Sequence, residues 1–359
     1  AAGIKRVVFQ RGPVPTLWYL LEDGSLVAMA YEQLFRQELV GCSEITAGGT
    51  DAAIEDIEVL PSADGDVLWW LVARTVGGAT VRYWEKMDLL DLKAERATAR
   101  RLDSYLPFEG EAWTEIEALT VNGVTGVITV TCTGHSFETG DNIDLIDVGG
   151  MDWLNHQTFL CADAAANTFT IKTTGGSYVD GRIIGTYTSG GHLRQVENTF
   201  GGLDHLEGES VYAVADGAVL GPYIVTSGVV TLPHYYCNVY IGLDYDAWLQ
   251  PLRIVLPMAD GSSRGRQMNV QGLWLSVRRS WEPLVGPDED HLEKVPEFFT
   301  ASATPGEAPE LVTGDFWVTL CGGLTADPTV LIKAPRGLPL CVRCLMLDAG
   351  LGGSRGGKL

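Results

Sequence analysis

Apolar and polar residues alternate along this chain in short runs broken by glycine-rich turns, the two-residue period of half-buried β-strands. Seven such runs occupy the first 87 residues: Ile4 to Gln10, Thr16 to Leu21, Ser25 to Tyr31, Gln37 to Ile45, Ile54 to Leu60, Val67 to Thr75 and Ala79 to Met87. Glu22-Asp23-Gly24, P-S-A-D-G-D and V-G-G-A are the turns between them. Even spacing and glycine turns predict a β-propeller or sandwich, with Trp18, Trp69, Trp70 and Trp84 packed between sheets. Seven strands fill only about two blades of a propeller that needs about four to eight. Open blades expose strand edges that invite aggregation. The rest of the ring is therefore expected from an N-terminal part or from another polypeptide. Residues 88–103, D-L-L-D-L-K-A-E-R-A-T-A-R-R-L-D, are the one stretch that predicts a helix.

Threonine- and glycine-rich strands follow, at residues 126–133, 142–148, 158–162 and 167–173, and they predict a small β-barrel over residues 113–197. Beyond it, Val211, Ala213 and Ala215 alternate up to Asp216-Gly217, a pair suited to the positive φ angles of a tight hairpin turn. Val229 to Leu232 and Val239 to Leu243 are expected to extend that hairpin's sheet. Further strands are read at residues 268–281, 316–320, 329–333 and 339–347, with residues 282–296 and 300–314 as loops and the last ten residues as a frayed tail. The fold class is all-β: propeller-like or sandwich sheets with an inserted small barrel, divided as 1–112, 113–197 and 198–359.

Charge narrows the partners. With 46 acidic and 25 basic residues the chain carries a net charge of −21. Such a surface repels nucleic acid, whose binding depends on Lys and Arg neutralising phosphates. No apolar run approaches the roughly 20 residues that span a bilayer, and A-A-G-I-K-R is not a signal peptide. The chain starts without Met, and the pattern of its first strands favours a piece of something longer. Seven scattered cysteines are read as reduced, mostly buried thiols. Cys341 and Cys344 lie in a strand, where residues three apart point to opposite faces, so they are not a metal or redox pair.

Enzyme motifs fail on context. G-S-S-R-G at 261–265 and G-G-S-R-G at 352–356 fit G-x-S-x-G, but a nucleophile elbow needs a strand before it and a helix after it. His135 and His156 are read as surface turn residues rather than a metal pair. D-E-D-H-L-E at 288–293 lacks the spaced Asp/Asn and Gly of a calcium loop. The reading is therefore non-enzymatic, with no catalytic, cofactor or metal residues.

Several words occur in the order found in one protein family. They are I-K-R-V-V-F-Q-R, L-D-S-Y-L, L-D-H-L-E-G, V-A-D-G, Y-I-G-L-D-Y, G-R-Q-M-N-V and T-G-D-F-W-V-T-L. Over residues 1–112 and 198–353 the chain resembles the nozzle, or tail-hub, proteins of short-tailed bacteriophages. G-H-S-F-E-T-G-D-N-I, G-M-D-W-L-N-H-Q-T-F and Y-T-S-G-G-H-L-R resemble the barrel named for the first catalytic-cysteine half of ubiquitin-activating enzymes, without an adenylating site. The resemblance implies a virion protein assembled in the bacterial cytoplasm. It would form a six-fold ring between the tail adaptor ring and the fibres, through which genomic DNA leaves without specific binding. The alternatives are a fibre-anchoring hub or DNA-stabilising plug and, from another class, a carbohydrate-active propeller enzyme. Asp288, Glu289, Asp290 and Glu293 are the candidate acidic, lumen-facing loop.

Overall fold

A computed structural model describes residues 3–34, 37–63, 65–88, 99–252, 255, 257–258, 261–295, 298, 310–320 and 322–351. The fold is all-β, and its strands pair antiparallel throughout the named sheets. Strands β1 (Ile4–Gln10), β2 (Thr16–Leu21), β3 (Leu26–Leu34) and β4 (Gln37–Ile45) form one meander. A second meander contains β5 (Ala53–Ser62), β6 (Gly65–Val76) and β7 (Ala79–Lys86), and Gly77 and Gly78, both at positive φ, make the tight β6–β7 turn. The two sheets pack through Trp18, Leu20 and Leu26 on one side and Ile57, Leu68 and Trp70 on the other. Of the four tryptophans expected between sheets, only Trp18 and Trp70 are there. Trp84 is 55% exposed and Trp69 half-buried, because neighbouring strand positions face opposite ways.

After β8 (Asp103–Glu109) the chain builds a curled half-barrel. Its strands are β9 (Thr114–Glu115), β10 (Ala118–Val121), β11 (Ile128–Thr131), β12 (Asn142–Ile146), β13 (Gln157–Ala162), β14 (Thr168–Thr173) and β15 (His192–Phe200). They run in the order β10-β11-β14-β13-β12-β15, with β9 on β15, around Ile143, Leu145, Phe159, Phe169 and Ile171. Cys161 lies in β13, whereas Cys132 falls one residue past β11.

Next come β16 (Ser210–Ala215), β17 (Ala218–Ile224), β18 (Val230–Tyr236) and β19 (Asn238–Leu243). Asp216 and Gly217 take φ of 45° and 79°, so the hairpin turn forms as its sequence demands. The sheet order is β17-β16-β19-β8, and β18 is not in it. β8 takes the free edge of β19, while β15 continues past Val196 and offers β18 an edge through Thr199–Thr231 and Phe200–Val230. The expected continuous hairpin sheet is thus divided. Glu109 pairs with Asn238 and Glu197 with Tyr236, so the chain leaves for the half-barrel and returns from it at neighbouring places.

The remaining strands are β20 (Trp248–Leu249), β21 (Pro257–Met258), β22 (Gly261–Ser262), β23 (Met268–Ser280), β24 (Leu284–Gly286), β25 (Glu293–Lys294), β26 (Val312–Thr319), β27 (Leu331–Lys333) and β28 (Val342–Leu351). They form two larger sheets, β26-β23-β28 and β20-β27-β24-β25, besides the β21–β22 pair. Leu273, Leu275 and Val277 meet Val285 and Ile332 in their shared core. Residues 284–294, expected as loop, make the β24–β25 hairpin. Most of the expected helix, residues 89–98, lies outside the described residues, as do Cys321 and residues 352–359; Asp103 already belongs to β8. Of the described cysteines, Cys42 and Cys344 are exposed and Cys341, one residue before β28, is half-buried, so only Cys132, Cys161 and Cys237 are the expected buried thiols.

Candidate functional site

The L-D-H-L-E-G stretch folds into a junction between sheets. Leu203 and Leu206 are fully buried, and a single 3-10 turn over Asp204–Leu206 joins them. The His205 ring lies edge-on to Tyr83 of β7, with Nε2 2.9 Å from the Ser104 carbonyl oxygen. Glu207 accepts hydrogen bonds from the backbone N–H groups of Ser227 and Gly228 at 3.0 and 2.8 Å. Glu209, only 7% exposed, accepts from both the backbone N–H and the hydroxyl of Thr50. Four elements distant in sequence are fixed to one hexapeptide and its next residue.

Beside it lies a buried ionic cluster. Arg74 is 1% exposed; its Nη1 and Nη2 donate to Glu85 at 2.5 and 3.0 Å, and its Nε donates to the Gly48 carbonyl at 2.6 Å. Glu85 also accepts from the Ser104 hydroxyl at 2.6 Å and the Trp70 indole at 3.1 Å. Burial opposes the Glu85 charge, but Arg74, with help from Ser104 and Trp70, outweighs it and holds the carboxyl below its usual range. Asp103 differs. Burial pushes it up to about 6, against the Gly48 N–H bond and Arg74, and with Glu85 and Asp244 repelling its charge. Arg74, Glu85 and Asp103 thus tie β6, β7 and β8 to the connection between β4 and β5.

The acidic candidates lie elsewhere. Asp288 caps a 3-10 turn over Glu289–His291 in the β24–β25 hairpin, accepting from the backbone N–H of Asp290 and of His291 at 3.1 Å. Its carboxylate also lies 2.6 Å from His291 Nδ1, a partner that the sequence reading left out. That bond lowers the Asp288 pKa and raises that of His291. Asp288, Glu289, Asp290 and Glu293 are all exposed, the last within β25. Asp288 also borders a cavity of about 180 Å³ with Val270, Leu320 and Thr329.

G-G-S-R-G at 352–356 lies outside the described residues, and the other motifs fall into ordinary structure. Ser263 is 2% exposed and is followed by a turn and then β23. His135 is not a surface turn residue: it stacks on Phe137, meets Phe169 edge-on, and both its ring nitrogens are shielded from solvent. His156 does sit in an exposed turn, at φ 60°. Among the described residues no three His, Cys, Asp or Glu side chains are grouped to hold a metal ion.

Among the described residues, two sheet faces carry apolar side chains outside the cores. On the outward side of the first meander, Val7, Tyr19 and Val27 form one row and Phe9, Leu17 and Met29 the next. Val7 and Phe9 are 47% and 51% exposed. On the outer side of β26-β23-β28, Trp317, Trp274 and Met346 lie in register. No family model matches the chain, and no curated protein matches it either.

Proposed function

We propose that this chain is a structural virion protein, a nozzle subunit of a short phage tail that assembles into a ring around the path of exiting DNA. The observation that carries this reading is the outward face of β1, β2 and β3. Six apolar side chains stand there in two rows, on a sheet whose other face is already packed. Sheets apolar on both faces belong between two neighbours. A neighbouring sheet would cover those rows as β5–β7 cover the other side. The order of the nozzle-like words supports the same reading, since L-D-S-Y-L and Y-I-G-L-D-Y supply the β8 and β19 strands that pair across the intervening barrel.

The net charge of −21 suits a conduit rather than a clamp. A duplex carries one negative charge per roughly 1.7 Å of axis, so a basic lumen would hold it and an acidic one lets it slide. The exposed hairpin with Asp288, Glu289, Asp290 and Glu293 is the proposed lumen-facing segment. Electron micrographs of the purified protein test the reading. Rings with an open centre support it, and uniformly compact single particles in the presence of the tail adaptor reject it.

A further inference from the structure

The connection between β4 and β5 joins the first two meanders and touches the hairpin sheet at the start of β8 and the end of β19. Gly48 is gripped from both sides: its N–H donates to Asp103 Oδ2 at 2.8 Å and its carbonyl accepts from Arg74 Nε at 2.6 Å. A β-carbon there would stand 3.1 Å from the Asp244 carbonyl oxygen and 3.2 Å from Leu243. Gly49, at φ 106°, is pressed as closely against the Arg74 stem. Two residues after Gly48, Thr50 is tied to Glu209, and its carbonyl accepts from the Thr75 N–H at 2.9 Å.

We propose that Asp103, Glu85 and Arg74 form a proton-operated latch, which fastens this strap to the hairpin sheet more tightly in mildly acidic than in neutral solution. The charges around Asp103 do not balance. Arg74 of β6 faces it, but that guanidinium already binds Glu85 of β7 through two nitrogens. Asp244, beyond β19, adds a second repelling carboxylate, itself paired with Arg336 at 2.6 Å. Asp103 and Arg101 both act on Tyr245, and the next two residues of β8 bring His205, on the Ser104 carbonyl, and Tyr105, bonded to Asp88, to the same end of the strand. One proton on Asp103 removes the surplus negative charge. The bond to the strap survives, because a neutral carboxyl keeps a carbonyl oxygen that accepts the Gly48 N–H.

The direction follows from burial, which raises Asp103 to about 6 in the closed joint. Opening the strap returns it to an ordinary aspartate value of about 3.9. A group raised on closing contributes fully below its open-state value, and its contribution is lost as pH rises through the closed-state value. The latch therefore weakens between about pH 4 and 6 and levels off above. Glu85, held below its usual range, acts at the acid end of that window and with the opposite sign.

Hydrogen exchange at the Gly48 amide, corrected for its intrinsic rate, tests the latch in the whole chain. Between pH 4.5 and 7, wild-type protection should fall about twentyfold, as linkage of one proton between these two values requires. In Asp103→Asn, whose amide oxygen can still accept the Gly48 N–H, protection should stay at the acidic level at both pH values. Equal wild-type protection at both pH values, or the same fall in Asp103→Asn, overturns the proposal. The carboxyl carbon of Asp103, followed by NMR in the wild type, gives a check free of any folding defect in the variant. A midpoint near 6 supports the latch, and one at 4 or below overturns it.

Discussion

The Trp317 indole lies over Gly272 on the neighbouring strand, so close that a β-carbon at 272 would stand 2.5 Å from the ring. The glycine lets the ring settle onto the sheet, while Thr319 accepts from the indole N–H at 3.2 Å and Trp274 meets it at a 63° tilt. Gly272→Ala should cost about 1–3 kcal/mol, the range for overpacking a fitted site. Urea unfolding followed by tryptophan fluorescence reads both the loss and the displaced ring.

Arg74 and Glu85 predict a non-additive pair. Arg74→Met leaves the largely buried Glu85 charge unpaired and should cost about 3–5 kcal/mol. Adding Glu85→Gln removes that charge while keeping an acceptor for Ser104 and Trp70. The double variant should then be more stable than Arg74→Met alone, as measured by denaturant midpoints at constant m-value.

In the β24–β25 hairpin, His291 should titrate above an ordinary histidine because Asp288 binds its imidazolium. Whatever order this pair adds is present below the free histidine value and lost as pH rises through the raised one. NMR titration of the imidazole should show the midpoint falling back in Asp288→Asn. An unchanged midpoint would remove the pairing.

Strand positions were legible in the sequence because alternation reports which residues can sit on a half-buried sheet. Ile4–Gln10, Thr16–Leu21 and Gln37–Ile45 have the boundaries that their patterns predict. Partners were less legible, since pairing is decided by competition for edges far apart in sequence. β18 reads like a continuation of the hairpin, yet β8 already occupies the edge of β19. The joint was hidden for a related reason. Arg74 and Glu85 each look like an isolated surface charge within a strand and Asp103 like the end of the expected helix, and only the packing of the second meander against the hairpin sheet brings them together. Asp288 and His291 are three residues apart, a local spacing that could have revealed their bond.

The neighbouring exit and return points at Asn238 and Tyr236 predict that the half-barrel is dispensable for its surroundings. Replacing residues 113–196 by a short Gly/Ser linker keeps Glu197–Phe200, the part of β15 that holds β18. The remainder should unfold in one cooperative transition. A broad, non-cooperative melt would show that the half-barrel supports the hairpin sheet.

Sedimentation of the wild-type chain beside a Val7→Asp/Phe9→Asp variant, with and without the tail adaptor, bears most directly on the ring. Both substitutions place carboxylates on the outward rows of the first meander and leave its packed face intact. The account predicts a discrete closed assembly for the wild type and its loss in the variant, while circular dichroism of the two agrees. A wild-type chain that stays a compact monomer at every concentration and with every tail partner, and that the two aspartates leave unchanged, would contradict it.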